Sequence, residues 1–216
     1  AYEVLSASDR DPATHRFSAR IGGLAPDTEY RYRATSHATS EPDNHTAWHT
    51  FRTAPADQAE VAFMYLGDPQ TGLTEWSQRY AQAIARHPEV RFTVIAGDLV
   101  NRGSSRREYD DLFGSAHVAF ATVPLVPALG NHDHIDGGGA LFRQQFVLPE
   151  DGPGQPEHCY AFTYGPMFIA VLDSTSKDGL PDQAAWLDRN LAQSTAPWKI
   201  VTFHHPIWPT LEGRDN

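Results

Sequence analysis

Four short, mainly apolar runs lie in the last three quarters of the chain, and none shows the polar alternation of a half-exposed strand. They cover residues 61–66, 92–96, 123–129 and 199–203. Continuous runs of this length predict strands that are buried on both faces of a parallel sheet. We therefore expect an α/β core built on these four strands.

Helical periodicity separates the runs. Apolar side chains recur every three or four positions over residues 73–84, until Pro88 ends the segment. The next helix is predicted to begin after Ser104 and Ser105, where Glu108 is placed to complete a capping box. This alternation of strands and helices predicts right-handed crossovers and a largely parallel sheet.

The rest of this region predicts two strands, a helix and a loop. Residues 159–164 and 167–173 are expected to be strands on either side of a turn, and residues 181–194 are expected to be helical. Residues 135–155 are rich in glycine and proline, so we expect a surface loop there.

The N-terminal quarter follows a different pattern, in which apolar and polar residues alternate. The alternation covers residues 15–21, 29–33 and 47–51 and predicts antiparallel strands. Around Tyr30 the sequence resembles the corner of immunoglobulin-like sandwiches, where a tyrosine at the start of a strand bonds back to upstream backbone. Three or four strands are too few for such a sandwich, which needs about seven.

These patterns divide the chain into two domains. Residues 1–54 are interpreted as the C-terminal part of an all-β, fibronectin-like sandwich whose earlier strands are missing from this chain. Residues 53–57 are the expected linker, and residues 58–216 are expected to form an α/β domain whose own C-terminal part is missing.

Composition narrows the functional classes. The 216 residues carry a formal net charge of −10 and include one cysteine, Cys159. The acidic balance disfavours binding to nucleic acid through a general basic surface. No window approaches about 18 consecutive apolar residues, so no membrane span is expected. A single cysteine cannot form an intrachain disulfide, and it leaves the compartment open.

Side chains with oxygen or nitrogen donors follow each of the four apolar runs: Asp68, Asp98, Asn131 and His204. In open α/β sheets, ligands bind in the crevice beyond the carboxyl ends of the strands. Two carboxylates, an amide and an imidazole suit a pair of divalent metal ions of the Mn, Fe or Zn kind. We therefore expect these four residues to converge at one edge of one sheet.

The segments that carry these four donor side chains together resemble the successive metal motifs of the calcineurin-like metallophosphoesterases. They comprise residues 67–68, 97–102, 130–133 and 201–204. Within that superfamily, the half sandwich ahead of the α/β domain is most similar to the purple acid phosphatase branch. The resemblance implies a metallophosphoesterase β-sandwich flanked by helices. It also implies hydrolysis of phosphoric esters by a metal-bridged water or hydroxide at a binuclear centre, with phosphomonoesters as the expected substrates.

Two alternatives to phosphomonoester hydrolysis stay open. Phosphodiester or phosphotriester hydrolysis at the same site is the alternative within the enzyme class, because specificity lies in loops. A non-catalytic, metal-stabilised interaction module is the alternative of another class. His132 and Arg102 argue against the module, since a purely structural metal site needs neither.

The resemblance also implies roles for individual residues. Asp98 would bridge both metal ions and Asp68 would bind the first, while Asn131 and His204 would bind the second. A carboxylate shared by two dications lowers the repulsion between them.

Three further residues match family positions near the phosphate. His132 resembles the histidine that contacts phosphate and protonates the leaving oxygen, and Asp133 is expected to orient it through a hydrogen bond. Arg102 matches a phosphate-contacting arginine, whose planar donor fork suits phosphate oxygens.

Two positions depart from the family pattern. Asn101 stands where purple acid phosphatases carry a metal-binding tyrosine, so ferric iron is less favoured and no purple colour is expected. Gln70 stands where many relatives have a histidine, and its amide is expected either to bind metal weakly or to hold a water. Both residues are counted as further candidates for the metal site.

Several other residues keep two interpretations. His205 is expected to touch substrate or to be a structural imidazole beside Pro206. His134 is expected to line the mouth of the site or simply to be exposed, and Asp173 to support a ligand or to cap a turn. The remaining histidines are interpreted as surface or core residues: His15, His37, His45, His49, His87, His117 and His158.

The resemblance finally implies a motif with two more histidine ligands after the strand that ends at His204, and the sequence to Asn216 contains no such motif. Four protein groups with two negative charges are few for two dications. We therefore expect a downstream segment of the same polypeptide to complete the site. The resemblance also suggests a secreted or periplasmic protein.

Overall fold

A computed structural model describes residues 2–6, 17–38, 41–56 and 60–208. Within these residues, the N-terminal part shows six strands: β1 (Tyr2–Ser6), β2 (Phe17–Ile21), β3 (Glu29–Tyr32), β4 (Thr35–Ala38), β5 (Glu41–His45) and β6 (His49–Arg52). They pair antiparallel as β1 with β2, β3 with β6 and β4 with β5. The three predicted strands correspond to β2, β3 and β6, although residues 15 and 16 lie outside the described residues, whereas β1, β4 and β5 were not predicted. Because the strands form separate pairs, the fibronectin-like sandwich stays a prediction.

The tyrosine expected to form a corner does bond back to upstream backbone. Tyr30 Oη accepts a hydrogen bond of 2.9 Å from the Ala25 amide, and its ring stacks on Phe51 at a centroid distance of 5.8 Å. Nearby, Tyr32 Oη donates to the Ala121 carbonyl at 2.7 Å. This last bond ties the N-terminal strands to the α/β part.

The α/β part contains two three-stranded sheets. The first is fully parallel and consists of β7 (Ala62–Leu66), β8 (Val90–Ala96) and β9 (Leu125–Ala128). The second consists of β10 (Tyr160–Tyr164), β11 (Met167–Val171) and β12 (Trp198–Thr202). In this sheet, β11 lies in the middle and pairs antiparallel with β10 and parallel with β12. The expectation of one sheet is therefore wrong, because the strand before His204 belongs to the second sheet.

The described residues of the α/β part also form six α-helices, most of which pack on the outer faces of the two sheets. They are α1 (Leu73–Arg86), α2 (Arg106–Ser115), α3 (His117–Phe120), α4 (Asn131–His134), α5 (Ala140–Gln145) and α6 (Leu180–Gln193). Helix α5 interrupts the loop expected at 135–155, because its Phe142 is fully buried in the core. Within the described residues, no helix is long and apolar enough to cross a membrane.

Alternating side chains hold the layers together. Val94 of β8 packs with Ile169 of β11 between the two sheets, whereas Ile95 points to the other side and packs with residues of α2 and α5. On β11, Phe168 packs with Trp186 of α6. The order of layers is therefore helix, sheet, sheet, helix, and it places the carboxyl ends of β7, β8, β9 and β12 at a common edge.

Candidate metal centre

Two aspartates lie in the turns directly after neighbouring strands. Asp68 follows β7 and Asp98 follows β8, and both adopt a left-handed backbone with φ of 52°. The turns are joined, because the Asp68 amide donates to the Gly97 carbonyl at 3.2 Å and the Gln70 amide donates to the Asp98 carbonyl at 3.3 Å. With His204, they bring three donor atoms within 4.8 Å of one another.

Asp98 lies at the centre of the group and is only 3% exposed. Its Oδ1 accepts from the His132 amide at 2.9 Å, and its Oδ2 accepts from Gln70 Nε2 at 3.0 Å and lies 3.4 Å from His204 Nε2. Burial alone would raise the pKa of Asp98, but His204 and the His132 amide outweigh it and hold the pKa below its ordinary value. The side chain is therefore an ionised carboxylate.

His204 reaches the same point from the second sheet. Its Nδ1 donates to the Ala96 carbonyl at 2.8 Å, which directs Nε2 toward Asn131 Oδ1 at 3.1 Å. The ring fits because Gly97 has no side chain: a Cβ there would lie 2.6 Å from Nδ1. Burial opposes protonation, yet Asp98 and the Ala96 carbonyl raise the pKa of His204 to about 9.

These contacts indicate a place that favours positive charge, and the donor set fits a divalent metal ion. We call Asp68, Asp98, Asn131 and His204 the strand-end cluster. Gln70 adds an unused acceptor, because its Oε1 is buried without a hydrogen-bond partner among the described residues. The four residues that the sequence predicted as ligands are thus brought together, with Gln70 beside them.

His132 lies next to the strand-end cluster, and the Asn101 carbonyl holds its ring. Its Nδ1 donates to the Asn101 carbonyl at 2.9 Å, and its Nε2 lies 4.0 Å from Asp98 Oδ2. A carbonyl can only accept, so Nδ1 carries a proton and Nε2 is the atom that faces the site. The side chain is about one third exposed, so it can reach a bound ligand.

The expected hydrogen bond from Asp133 to His132 is wrong. The Asp133 carboxylate is fully buried and accepts from the backbone amides of Leu99, Val100 and Gly130. Burial raises the pKa of Asp133 to about 6, although these amides act to lower it. The short helix α4 turns this carboxylate away from His132, and the Asn101 carbonyl takes over the orienting role.

Residues 101 and 102 lie in a turn held by α2. Glu108 does not close the predicted capping box; its Oε2 accepts instead from the amides of Asn101 and Arg102 at 2.7 and 2.9 Å, while Ser105 Oγ caps the helix. The Arg102 guanidinium is 65% exposed and lies 3.9 Å from Asp136. The contacts of Asn101 described above come from its backbone, and a substrate role for Arg102 stays a prediction.

His205 borders a surface cavity of about 470 Å³ beside His204, which Tyr65 and Trp208 also line. Its Nδ1 lies 3.1 Å from Ser174 Oγ. Burial and the neighbouring His204 lower the pKa of His205, so the ring is neutral at pH 7. This neutral ring can either donate to or accept from a ligand in the cavity.

A second group of donors lies nearby, and one of its members was not singled out by the sequence. His134, His158 and Asp173 bring one donor atom each within 4.8 Å of one another, and we call them the histidine cluster. His158 precedes a strand instead of following one, so the pattern that located the other donors did not reach it. The expectation that His158 is a surface or core residue omits this contact.

Comparison with known proteins agrees with the geometry. A family model described as calcineurin-like phosphoesterase matches residues 61–216. An uncharacterized protein of Mycobacterium tuberculosis is 29% identical over 237 residues, covering 91% of this chain and 44% of that protein. Purple acid phosphatase 21 of Arabidopsis thaliana is 24% identical over 204 residues, covering 88% of this chain and 44% of that protein. The chain therefore spans less than half the length of these two relatives.

Two further likenesses bear on activity and fold. A probable cyclic nucleotide phosphodiesterase of Rhodopseudomonas palustris is 27% identical over 146 residues, covering 62% of this chain and 50% of that protein. The solved structure of a purple acid phosphatase from yellow lupin (Lupinus luteus) seeds matches 96% of this chain and 43% of that chain, with a TM-score of 0.72 and 16% identity. At that identity, the structural likeness is evidence for the fold alone.

Proposed function

Because this chain belongs to the calcineurin-like phosphoesterase family, we propose that it hydrolyses phosphoric esters at a centre of two divalent metal ions. The observation that carries the proposal is the convergence of Asp68, Asp98 and His204, with Asn131 Oδ1 only 3.1 Å from the histidine. We take phosphomonoesters as the first substrate class, in keeping with the purple acid phosphatase relative.

The strand-end cluster would hold the metal ions, with Asp98 shared between them and Gln70 Oε1 as a further donor. When bound, divalent ions at such a centre supply Lewis-acid activation of water and of phosphoryl oxygens. The candidates are Mn, Fe and Zn, since carboxylate, amide and imidazole ligands suit all three. A pair of aspartates on joined turns gives part of the negative charge that two dications require.

His132 would deliver the proton to the leaving oxygen. Its Nδ1–H is committed to the Asn101 carbonyl, so Nε2 is the atom that faces the site, and a proton carried there would be available for transfer. A positioned histidine of this kind contributes about 10²–10⁴-fold to a rate. Because Nε2 lies 4.0 Å from Asp98 Oδ2, a proton on it would be close to the proposed metal centre.

The ester's organic group would occupy the cavity next to His205. The cavity is lined by apolar side chains, among them Val201 and Trp208, and by the imidazoles of His204 and His205. A ligand with one charged end and one apolar end matches this arrangement. Arg102 is retained as a candidate for phosphate binding, which would require its exposed guanidinium to turn toward the site.

Phosphodiester hydrolysis is the second candidate function, because a relative bears the name probable cyclic nucleotide phosphodiesterase. The deciding experiment compares rates of hydrolysis of 4-nitrophenyl phosphate, bis-4-nitrophenyl phosphate and a nitrophenyl triester. The protein is reconstituted separately with Mn²⁺, Fe²⁺ and Zn²⁺. We expect the monoester to be hydrolysed fastest; a faster diester would favour the second candidate.

A matched pair of variants controls for activity from a contaminating phosphatase. Asp98→Asn should lose the activity, whereas Asp188→Asn, the same change at an exposed position of α6, should keep it. Equal activity in both variants, or no hydrolysis of any ester with any of the three metals, would contradict the proposed function.

A further inference from the structure

The histidine cluster joins three segments of the chain around one carboxylate oxygen. His158 Nδ1 lies 3.3 Å from Asp173 Oδ2, and His134 Nε2 lies 3.5 Å from the same oxygen. The two imidazole rings meet edge to face, with centroids 5.4 Å apart and an interplanar angle of 85°. None of these three side chains belongs to the strand-end cluster.

The histidine cluster is well enclosed, and not all of its polar atoms make a hydrogen bond. His158 is 3% exposed and Asp173 is 4% exposed. His134 Nε2 is buried and, although close to Asp173, makes no hydrogen bond within the described residues. A buried polar atom without a hydrogen bond is costly, and a bound ion that used the lone pair of this nitrogen would remove that cost.

Surrounding contacts hold each donor in place. Asp173 Oδ1 accepts from the Thr175 amide at 3.0 Å and from the Thr175 hydroxyl, which leaves Oδ2 to face the histidines. Gln183 of α6 clamps the Asp173 backbone through bonds of 2.9 and 2.8 Å. Gly139 makes room for His158, because a Cβ there would lie 2.8 Å from its ring. The carboxylate and one imidazole are thus fixed before any ligand arrives.

The spacing and chemistry match a zinc site. Zinc bonds of about 2.0–2.1 Å place neighbouring donors of a tetrahedron roughly 3.3–3.4 Å apart. The two nitrogen–oxygen distances in the cluster, 3.3 and 3.5 Å, are close to that separation. Two histidines and one carboxylate leave a fourth position for water. We propose that His134, His158 and Asp173 form a separate binding site for one Zn²⁺-like divalent ion.

Such an ion would stabilise the segments that position the neighbouring strand-end cluster. His134 belongs to the same short helix as Asn131. Ser174, which follows Asp173, contacts His205 beside His204, through bonds of 3.1 and 3.0 Å. The site therefore connects the segments that carry two of the four strand-end donors, and its role is structural support.

The test measures Zn²⁺ binding in a chain whose strand-end cluster is disabled by Asp68→Asn and His204→Gln. Affinity is determined by competition with a chromogenic chelator, so the result does not depend on phosphoesterase activity or on the proposed function. We expect this chain to bind one Zn²⁺. Adding Asp173→Asn should weaken binding more than about 100-fold, because even residues that merely support a ligand are worth about 10–100-fold.

Two further variants complete the design. His134→Ala removes a partly exposed ligand and should also weaken Zn²⁺ binding, and it serves if Asp173→Asn does not fold. His117→Ala removes an exposed histidine of α3 and should leave binding unchanged. Failure of the disabled chain to bind Zn²⁺, or unchanged affinity after His134→Ala, would overturn the proposal and leave a histidine–aspartate group held by electrostatic contacts alone.

Discussion

The strand-end cluster and the histidine cluster lie side by side but are built in opposite ways. In the strand-end cluster, Asp68 and Asn131 are exposed, and the donors come from the ends of strands in two sheets. In the histidine cluster, Asp173 and His158 are almost completely buried. Similar donor side chains can therefore have different roles, since only the strand-end cluster leaves an open side for a substrate.

The largest effect should come from Asp98→Asn. This change removes one negative charge that both metal ions of the proposed centre would share, so hydrolysis should fall by more than the about 10²–10³-fold that one stabilising donor is worth. Metal analysis and rates with 4-nitrophenyl phosphate measure the outcome. A variant that kept two metals per chain and a near-normal rate would remove the functional contrast between the clusters.

His132→Ala should lower turnover by about 10²–10⁴-fold, because it removes the proposed proton donor while leaving the metal ligands in place. The loss should be smaller for nitrophenyl esters, whose leaving group needs little protonation, than for alkyl esters. Rates for the two ester types, together with metal content, provide the test. Equal losses for both esters would assign His132 to phosphate contact alone.

The metal-free protein should become less stable as the pH rises. Asp98 raises the pKa of His204 to about 9, against an ordinary value of about 6.5. The stabilising contribution is therefore complete below pH 6.5 and is lost as the pH rises through 9. The shift is equivalent to at most about 3 kcal/mol.

Urea unfolding of chelator-treated protein at pH 6 and pH 9.5 measures this loss. The His204→Gln variant serves as the control, because it lacks the titrating group and should show a flatter dependence. An identical pH dependence in both proteins would mean that the strand-end cluster does not favour positive charge.

His134→Ala should have the smallest effect on catalysis. Because the histidine cluster is proposed to support the site without touching substrate, turnover should fall by less than about tenfold, which corresponds to roughly 1.4 kcal/mol. Steady-state kinetics with added Zn²⁺ give the value. A loss as large as that of His132→Ala would place the histidine cluster in the reaction itself.

The strand-end donors could be predicted because both parts of the signal are local. An apolar run predicts a buried strand, and the first polar side chain after it must lie at the end of that strand. The division into two sheets could not be predicted, since burial on both faces does not reveal which strands pair. For that reason His204 was expected in the same sheet as Asp98 and was found in the second.

Other features depend on direction or on distant contacts, which a sequence pattern does not contain. Asp133 follows His132 directly, yet one helical step points its carboxylate toward the backbone of Leu99 and Val100. His158 contacts Asp173 only because the antiparallel strands β10 and β11 bring their neighbouring segments together. The direction of Asp133 and the contact of His158 can be recognised only in the folded structure.

The position of His204 in a different sheet from Asp98 has a consequence for folding kinetics. Its contact with Ala96 spans 108 residues, so the strand-end cluster can form only after the two sheets have docked. Because the entropy of closing such a long loop must be lost before the contact stabilises the chain, we expect this contact to form late in folding. Metal bound there would be absent from the transition state and would act on the unfolding step alone. We expect added metal to leave the refolding rate unchanged and to slow unfolding, as measured by stopped-flow fluorescence.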